Sequence, residues 1–379
     1  MTGSPLRIAH TESSTGWGGQ EIRVLREAAG FIARGHDVVV YAAPGARIVA
    51  EAPRFGVPAI ALPIGGKRTR GALAMWRALA ARPVDVVNTH SSTDSWLAAL
   101  ACRGLAMRRA GAPALVRTRH VSVPVQANRA TRWLYRTATA RIVTTGDTLR
   151  EALIRDLALD PARVHSVPTG IDPARHPPIA RADARAALGL PEATPIVGIV
   201  ATLRSWKGHA YLIDALAQMR RHDALLVIVG DGPQRDALVR KVAAHALGER
   251  VRFVGQQDDV APWLAALDVF ALPSYANEGV PQALLQAMFA GVPSVTTDVG
   301  AIPEIAHAGS TAVVVPREDA EALAAAIDTL LDDPARGRTL AGNARELVSG
   351  RYTESHMLDR MHTVFREAVA ARGARAEVK

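Results

Sequence analysis

A chain of 379 residues, 49% of them apolar, is long enough for two hydrophobic cores and too apolar for a disordered protein. Its single cysteine, Cys102, excludes an internal disulfide and a cysteine metal cluster, and no uninterrupted apolar segment approaches a membrane span. The formal net charge of +9 is uneven, +12 over residues 1–170 against −3 over residues 171–379. That asymmetry points to an anionic partner for the first half, such as a membrane surface or a phosphorylated glycolipid, although an arginine-rich surface alone also accounts for it. Nucleic acid is the weakest reading, because aromatics make up 4% and no stacking motif is present. The N-terminal residues carry no signal-peptide hydrophobic region, so the expected location is cytoplasmic.

In chain order, residues 6–10 read as a strand and residues 11–20 (TESSTGWGGQ) as a loop with three glycines. A helix over about 21–33 has Ile22, Leu25, Ala29 and Ile32 on one face, and residues 37–42 (DVVVYA) form the next strand. This is a βαβ unit, which implies a parallel sheet with a right-handed crossover. Its glycine loop is neither a Walker loop nor the dinucleotide fingerprint. Strands follow at 84–88, 115–119 and 142–145, with helices at 95–105, 129–138 and 148–157. Residues 167–173 (VPTGIDP) read as a linker.

The second half restarts the alternation. Strands are predicted at 196–201, 225–229, 251–254, 269–272 and 312–315 and a short one beginning at Val295, with helices at 210–219, 260–267, 320–331 and 335–348 and one from the turn 230–233 to about His245. A last helix over 355–371 has Met357, Met361, Val364, Phe365 and Ala368 on one face.

Residues 274–300 (SYANEGVPQALLQAMFAGVPSVTTDVG) are the most informative stretch. A buried strand precedes it, Pro281 suits the first turn of a helix, and Gly291 and Pro293 end that helix. Glu278 therefore falls in a loop at the C-terminal end of a strand, where open α/β sheets bind ligands, and Gln286 lies about two turns along the helix. A carboxylate and an amide so placed can grip sugar hydroxyls at two heights. Helix capping by Glu278 and a surface role for Gln286 are the plainer alternative.

Six segments together resemble one family. They are Gly18-Gly19-Gln20-Glu21, VPTGID at 167–172, ATLRSWKGHAYLIDAL at 201–216, IVGDGP at 228–233, RFVG at 252–255 and EGVPQALLQAM at 278–288. In this order they look like a family 4 glycosyltransferase, a retaining enzyme of the GT-B fold. The resemblance implies an α/β protein with two Rossmann-like domains facing a cleft. The expected divisions are an acceptor-binding domain over 1–170, a nucleotide-sugar domain over 171–354, and a helix over 355–379 crossing back to the first domain.

Residue by residue, the resemblance makes Arg204 and Lys207 the cations that neutralise the donor diphosphate. Two cations after a strand and near a helix N-terminus suit a pyrophosphate leaving group. Glu278 matches the first acid of the family's E-x7-E motif, which contacts the donor sugar. Gln286 stands where the second acid binds the ribose, a departure that replaces charge-assisted hydrogen bonds with neutral ones. Gly18 and Gly19 match the loop approaching the phosphates, Gly230 and Gly232 a turn near the nucleotide base. His120 resembles the active-site histidine, and His90 and Glu21 are acceptor-side candidates.

The implied reaction moves a sugar from a UDP-, GDP- or ADP-sugar to a glycan or glycolipid hydroxyl, the lipopolysaccharide core included, on a peripheral enzyme of the membrane's inner face. No cofactor or metal is expected, since no Asp-x-Asp motif is present. An epimerase of the same fold and a non-catalytic nucleotide-sugar-binding scaffold subunit are the rivals. A nicotinamide dehydrogenase is disfavoured for want of G-x-G-x-x-G.

Overall fold

The computed structural model describes residues 4–108, 112–120 and 123–377, with side chains to 372. The chain divides into two compact units, Met1–Pro168 with Met357–Lys379 and Thr169–His356. The first holds seven parallel strands: β1 (Arg7–Glu12), β2 (Asp37–Ala42), β3 (Ala59–Ala61), β4 (Val86–Thr89), β5 (Ala114–Arg119), β6 (Arg141–Thr144) and β7 (Val164–Ser166). The second holds six: β8 (Ile196–Val200), β9 (Leu225–Val229), β10 (Val251–Gly255), β11 (Val269–Leu272), β12 (Ser294–Thr296) and β13 (Val313–Val314).

In the first sheet the order is β3-β2-β1-β4-β5-β6-β7, and in the second β10-β9-β8-β11-β12-β13. Every pairing is parallel, as in Ile8↔Val38 and Ile8↔Val86 across β1. Strands covered on both faces read as continuous apolar runs, which is why VVVYA and LLVIV were legible. Successive side chains then serve opposite layers. Ile8, Val38, Val40, Val86 and Val116 join one core of the first unit, and Ala9, Val39, Tyr41, Val87 and Leu115 join the other.

The helix Gly19–Ala33 covers the first of these layers through Val24, Leu25 and Phe31. The last helix, Glu354–Glu377, lies in the same layer through Met357, Met361, Val364, Phe365 and Ala368, the face the spacing predicts. The helix Ser92–Met107 covers the opposite layer with Leu97 and Ala98.

Several expectations need correcting. The helix predicted at 21–33 starts at Gly19, so Gly19 is its first residue rather than a loop residue. Pro281 is the N-cap of the helix Gln282–Phe289, with ψ 124, and not a residue of its first turn. The second half of the predicted 129–138 helix is wound as a π-helix, Leu134–Ala138. The helix Thr69–Ala81 and strands β3 and β7 were not anticipated. The two strands are three residues each, too short to show a period, and β3 lies at the sheet edge and is only partly buried.

The crossings between units are tied down within the second one. Ile171 N–H donates to Tyr352 O at 2.7 Å and Glu354 N–H to Ile171 O at 2.8 Å. A Cβ on Gly170 would lie 2.2 Å from Thr353 O, a backbone atom with no freedom to give. Gly170→Ala should therefore lower stability by about 1–3 kcal/mol through displaced backbone. A thermal midpoint equal to that of the parent chain would contradict this close approach.

Candidate functional site

The order of each sheet reverses once, between β1 and β4 and between β8 and β11. Loops leaving the C-terminal ends of strands on either side of such a reversal border an open crevice, the usual ligand position in open α/β sheets. In the second unit these loops carry Arg204 and Lys207 after β8 and Glu278 after β11.

Four close backbone contacts set the second-unit loops. Gly208 has φ +78, and a Cβ there would sit 2.0 Å from Pro273 O, while Tyr275 N–H donates to Trp206 O at 2.9 Å. The turn bearing Lys207 is thus pressed onto the loop after β11. Gly300, at φ +58, packs under Glu278, where a Cβ would be 2.1 Å from Glu278 O. Gly230 and Gly232, at φ +138 and +159, lie against Ala201 O and the Leu203 backbone, and Leu203 N–H donates to Asp231 O at 3.0 Å. These two glycines hold the segment that leads into Arg204.

Within that frame Lys207 Nζ lies 2.6 Å from Glu278 Oε1, and Ser274 Oγ donates to the same oxygen at 2.6 Å. Glu278 is buried, and its Oε2 has no partner among the described residues. One carboxylate oxygen anchors the side chain, and the other is free to accept from a hydroxyl. Arg204 is exposed, stacks 5.7 Å over Trp206, and makes no ion pair among the described residues. The helix His209–Gln218 begins beside it with no side-chain cap, so its first N–H groups add positive potential. Gln286 is 8% exposed, and its amide makes no hydrogen bond among the described residues. His209 is buried, and burial, then the Lys207 charge, pushes its imidazole down to about 3.

The first unit builds a second cluster at the ends of β1, β4 and β5, which are neighbours in the sheet. His10, two residues before the end of β1, and His90 and His120, which follow β4 and β5, form a chain. His10 Nδ1 lies 3.0 Å from His90 Nε2, and His90 Nδ1 lies 2.9 Å from His120 Nε2. Burial holds all three neutral: His10 is pushed down to about 3 by burial and by Arg23, and His90 and His120 lie well below the usual imidazole range. His10 Nε2 is buried without a hydrogen-bond partner. A bare lone pair is tolerated there better than an orphaned N–H. His10 therefore donates through Nδ1 to His90, His90 donates through Nδ1 to His120, and the proton of His120 resides on its own Nδ1.

Acids lock this edge. Asp94 accepts from Thr11 Oγ1 at 2.6 Å, from His90 N–H at 3.0 Å and from Ser91 N–H at 2.9 Å, which fixes the backbone of His90. Burial and the neighbouring Glu12 push the Asp94 carboxyl up to about 7. Glu12 accepts from Ser14 N–H at 2.7 Å and from Gln20 and Ser91 side chains, so it closes the TESSTGWGGQ loop. Burial raises its carboxyl as well.

Both histidines named from the sequence, His90 and His120, line a cavity of about 660 Å³ in this unit. Glu21 is buried in the first turn of the helix Gly19–Ala33 and does not line it. Gly18 is that helix's N-cap, with no side-chain cap, so the first-turn N–H groups are open. Sequence reasoning missed His10, Glu12, Asp94, Arg117 and Ser274. For Asp94 a signal existed in Ser91-x-x-Asp94, a capping-box spacing before an apolar run. Among the described residues no group of three or more His, Cys, Asp or Glu side chains is placed to hold a metal ion. No described helix is long and apolar enough to cross a membrane.

Because folding opposes protonation of His10, His90, His120 and His209, each withdraws stability as pH falls below about 6.5. Their ring resonances should stay fixed from pH 8 to pH 5 in spectra of histidine-labelled protein, with His120 as the Nδ1–H tautomer. Titration of any of the four near 6.5 would contradict the buried, neutral chain.

Comparison with known proteins follows the same division. The Glycosyltransferase Family 4 profile matches residues 17–175 and the Glycosyl transferases group 1 profile residues 194–333. The chain is 31% identical over 293 residues to the 2-deoxystreptamine N-acetyl-D-glucosaminyltransferase of Streptomyces fradiae, covering 71% of this chain and 68% of that one. It is 34% identical over 189 residues to the lipopolysaccharide core biosynthesis mannosyltransferase LpsB of Rhizobium meliloti, covering 47% of this chain. The chain spans about half the length of the first two curated relatives it matches. Among solved structures, that of Anabaena Alr3699/HepE in complex with UDP and glucose superposes with a TM-score of 0.81 at 21% identity, over 95% of this chain and 99% of that one. Two profiles in order, a relative matched over two thirds of its length and the pair of parallel sheets place this chain in the family 4, group 1 glycosyltransferases of the GT-B fold.

Proposed function

We propose that the protein is a retaining glycosyltransferase that moves a sugar from a nucleoside-diphosphate sugar to a hydroxyl of a glycan or glycolipid acceptor. The observation that carries this reading is the Lys207–Glu278–Ser274 cluster beside an unpaired Arg204. Arg204, Lys207 and the open helix N-terminus receive the diphosphate, and Glu278 Oε2 accepts from a donor-sugar hydroxyl. The first unit, with His120 presented as an N–H donor, takes the acceptor.

In the step itself the bond between the anomeric carbon and the phosphate oxygen breaks, and its electron pair leaves with the nucleoside diphosphate. The acceptor oxygen bonds to the same face of that carbon, and its proton passes to the departing phosphate oxygen. Positioning and charge stabilisation are then the protein's main contributions, and two fixed cations supply the second without a metal in the step. UDP is the first nucleotide to test, since the Anabaena structure holds it. Incubation with UDP-, GDP- and ADP-sugars should release nucleoside diphosphate and give a product with the donor's anomeric configuration. Inversion, or epimerisation of the nucleotide sugar without transfer, would overturn the reading.

Arg204→Ala and Lys207→Ala should each lower turnover by about 2–4 kcal/mol in activation free energy, as for a lost oxyanion donor, with the thermal midpoint retained. Parent rates in both variants would remove the diphosphate assignment. At Gln286 the buried amide can bridge a diol without a charge. Gln286→Glu should keep or improve donor affinity by up to about 1 kcal/mol, and Gln286→Ala should raise donor Kd and KM. An unchanged Kd in the alanine variant would mean the side chain does not touch the nucleotide.

A further inference from the structure

The cavity of the first unit has a composition that its histidines do not explain. Among the described residues three cations line it, Lys67, Arg117 and Arg119, and no aspartate or glutamate does. Arg117 projects from β5 and is only 5% exposed. Its guanidinium sits 4.8 Å over the Tyr135 ring, its Nε and Nη1 are buried without a hydrogen-bond partner, and it makes no ion pair among the described residues. Arg119 is held in place by its bonds to Tyr135 Oη at 3.2 Å and Val123 O at 2.6 Å. Lys67 Nζ lies 6.0 Å over Trp96, which is itself stacked on Trp133 at 5.9 Å.

A buried guanidinium without a carboxylate is costly, because its hydration is lost and the hydrogen bond and ring of Tyr135 replace only part of it. The buried acid whose charge it feels, Asp94, has its oxygens committed to Thr11, Ser91 and His90. Such a cost is tolerated where a ligand brings the missing anion. Arginine's planar donor fork matches a phosphate bidentately, and two further cations at the same wall suit a dianion. The volume, about 660 Å³, exceeds what a bare phosphate needs, and the half-buried Trp96 lines the same cavity, where an edge of its indole can meet a saccharide ring.

We propose that this cavity is an acceptor subsite for a phosphate-bearing saccharide, with the phosphate on Arg117 and the sugar ring against Trp96. The proposal rests on the reading of the first unit as the acceptor unit. It accounts for the +12 carried by residues 1–170 beside a cavity that, among the described residues, no acid lines.

The test is equilibrium binding by calorimetry to the full chain, with glucose 6-phosphate, mannose 6-phosphate, glucose and inorganic phosphate as probes. UDP serves as a separate probe of the second unit, and vesicles of phosphatidylglycerol serve as the lipid arm. At least one sugar phosphate should bind tenfold or more tightly than glucose, and more tightly than inorganic phosphate. Arg117→Met should weaken that binding at least tenfold, Arg117→Lys should restore part of it, and Lys67→Ala, at an exposed position, should weaken it about threefold. Should Arg117→Met fail to fold, Lys67→Ala and Arg117→Lys still decide the matter.

Equal binding of glucose and the sugar phosphates would overturn the proposal, as would binding indifferent to both Lys67 and Arg117. Vesicle binding that depends on Arg117, without sugar-phosphate binding, would overturn it in favour of a lipid headgroup. If UDP binds and sugar phosphates do not, the acceptor class is wrong and the transferase reading stands. If sugar phosphates bind through Arg117 and no nucleotide binds, it is the transferase reading that fails.

Discussion

The reversal of strand order in each sheet is the constraint on which the rest depends. A strand in a parallel sheet must be followed by a crossover that returns over one face, right-handed. Where the order turns back, consecutive crossovers leave on opposite faces. In the first unit the helix Gly19–Ala33 packs in one core and the helix Ser92–Met107 in the other. The strand ends between them are left uncovered, and the side chains that can do chemistry gather there: His10, His90 and His120 in one unit, Lys207 and Glu278 in the other.

The same device is filled with opposite electrostatics in the two units. In the second, cation and carboxylate meet directly, and the pair is partly solvated, with Lys207 21% exposed. Such a pair costs little to form and can be exchanged for ligand contacts. In the first, the charges are fully buried and the groups respond by shedding charge. Burial drives Asp94 and Glu27 up to about 7 and the histidines down. Neutral groups in a hydrogen-bonded chain are rigid and specific, whereas Arg117, with no ion pair among the described residues, keeps its charge because guanidinium does not give up its proton in proteins.

Backbone contact, more than side-chain packing, sets the second-unit loops. Gly208 against Pro273 O and Gly300 against Glu278 O bring main chain to within a distance that no Cβ permits. Each has a positive φ, so the residue type answers to two demands at once, conformation and space. Asn277 adds a third positive φ beside Glu278, a conformation asparagine tolerates better than most residues. The turn Gly230–Gly232 performs the same service for the segment leading to Arg204.

Much of this was written in the chain. The apolar runs announced the buried strands because parallel strands are covered on both faces, and Met357, Met361 and Phe365 announced the last helix's inner face because helical period is local. The placement of Arg204, Lys207, Glu278, Gly230 and Gly232 in loops that follow strands was legible because short apolar runs end there in glycine and polar residues. What the sequence could not decide was adjacency. His10, His90 and His120 lie 80 and 30 residues apart and become a hydrogen-bonded chain only because β1, β4 and β5 are neighbours in the sheet. Arg117 reads as one more residue of a strand, and only the folded layer shows that its guanidinium is buried at a cavity with no acid. Local period and motif are properties of the chain, whereas pairing order, burial and the company a charge keeps are set by contacts distant in sequence.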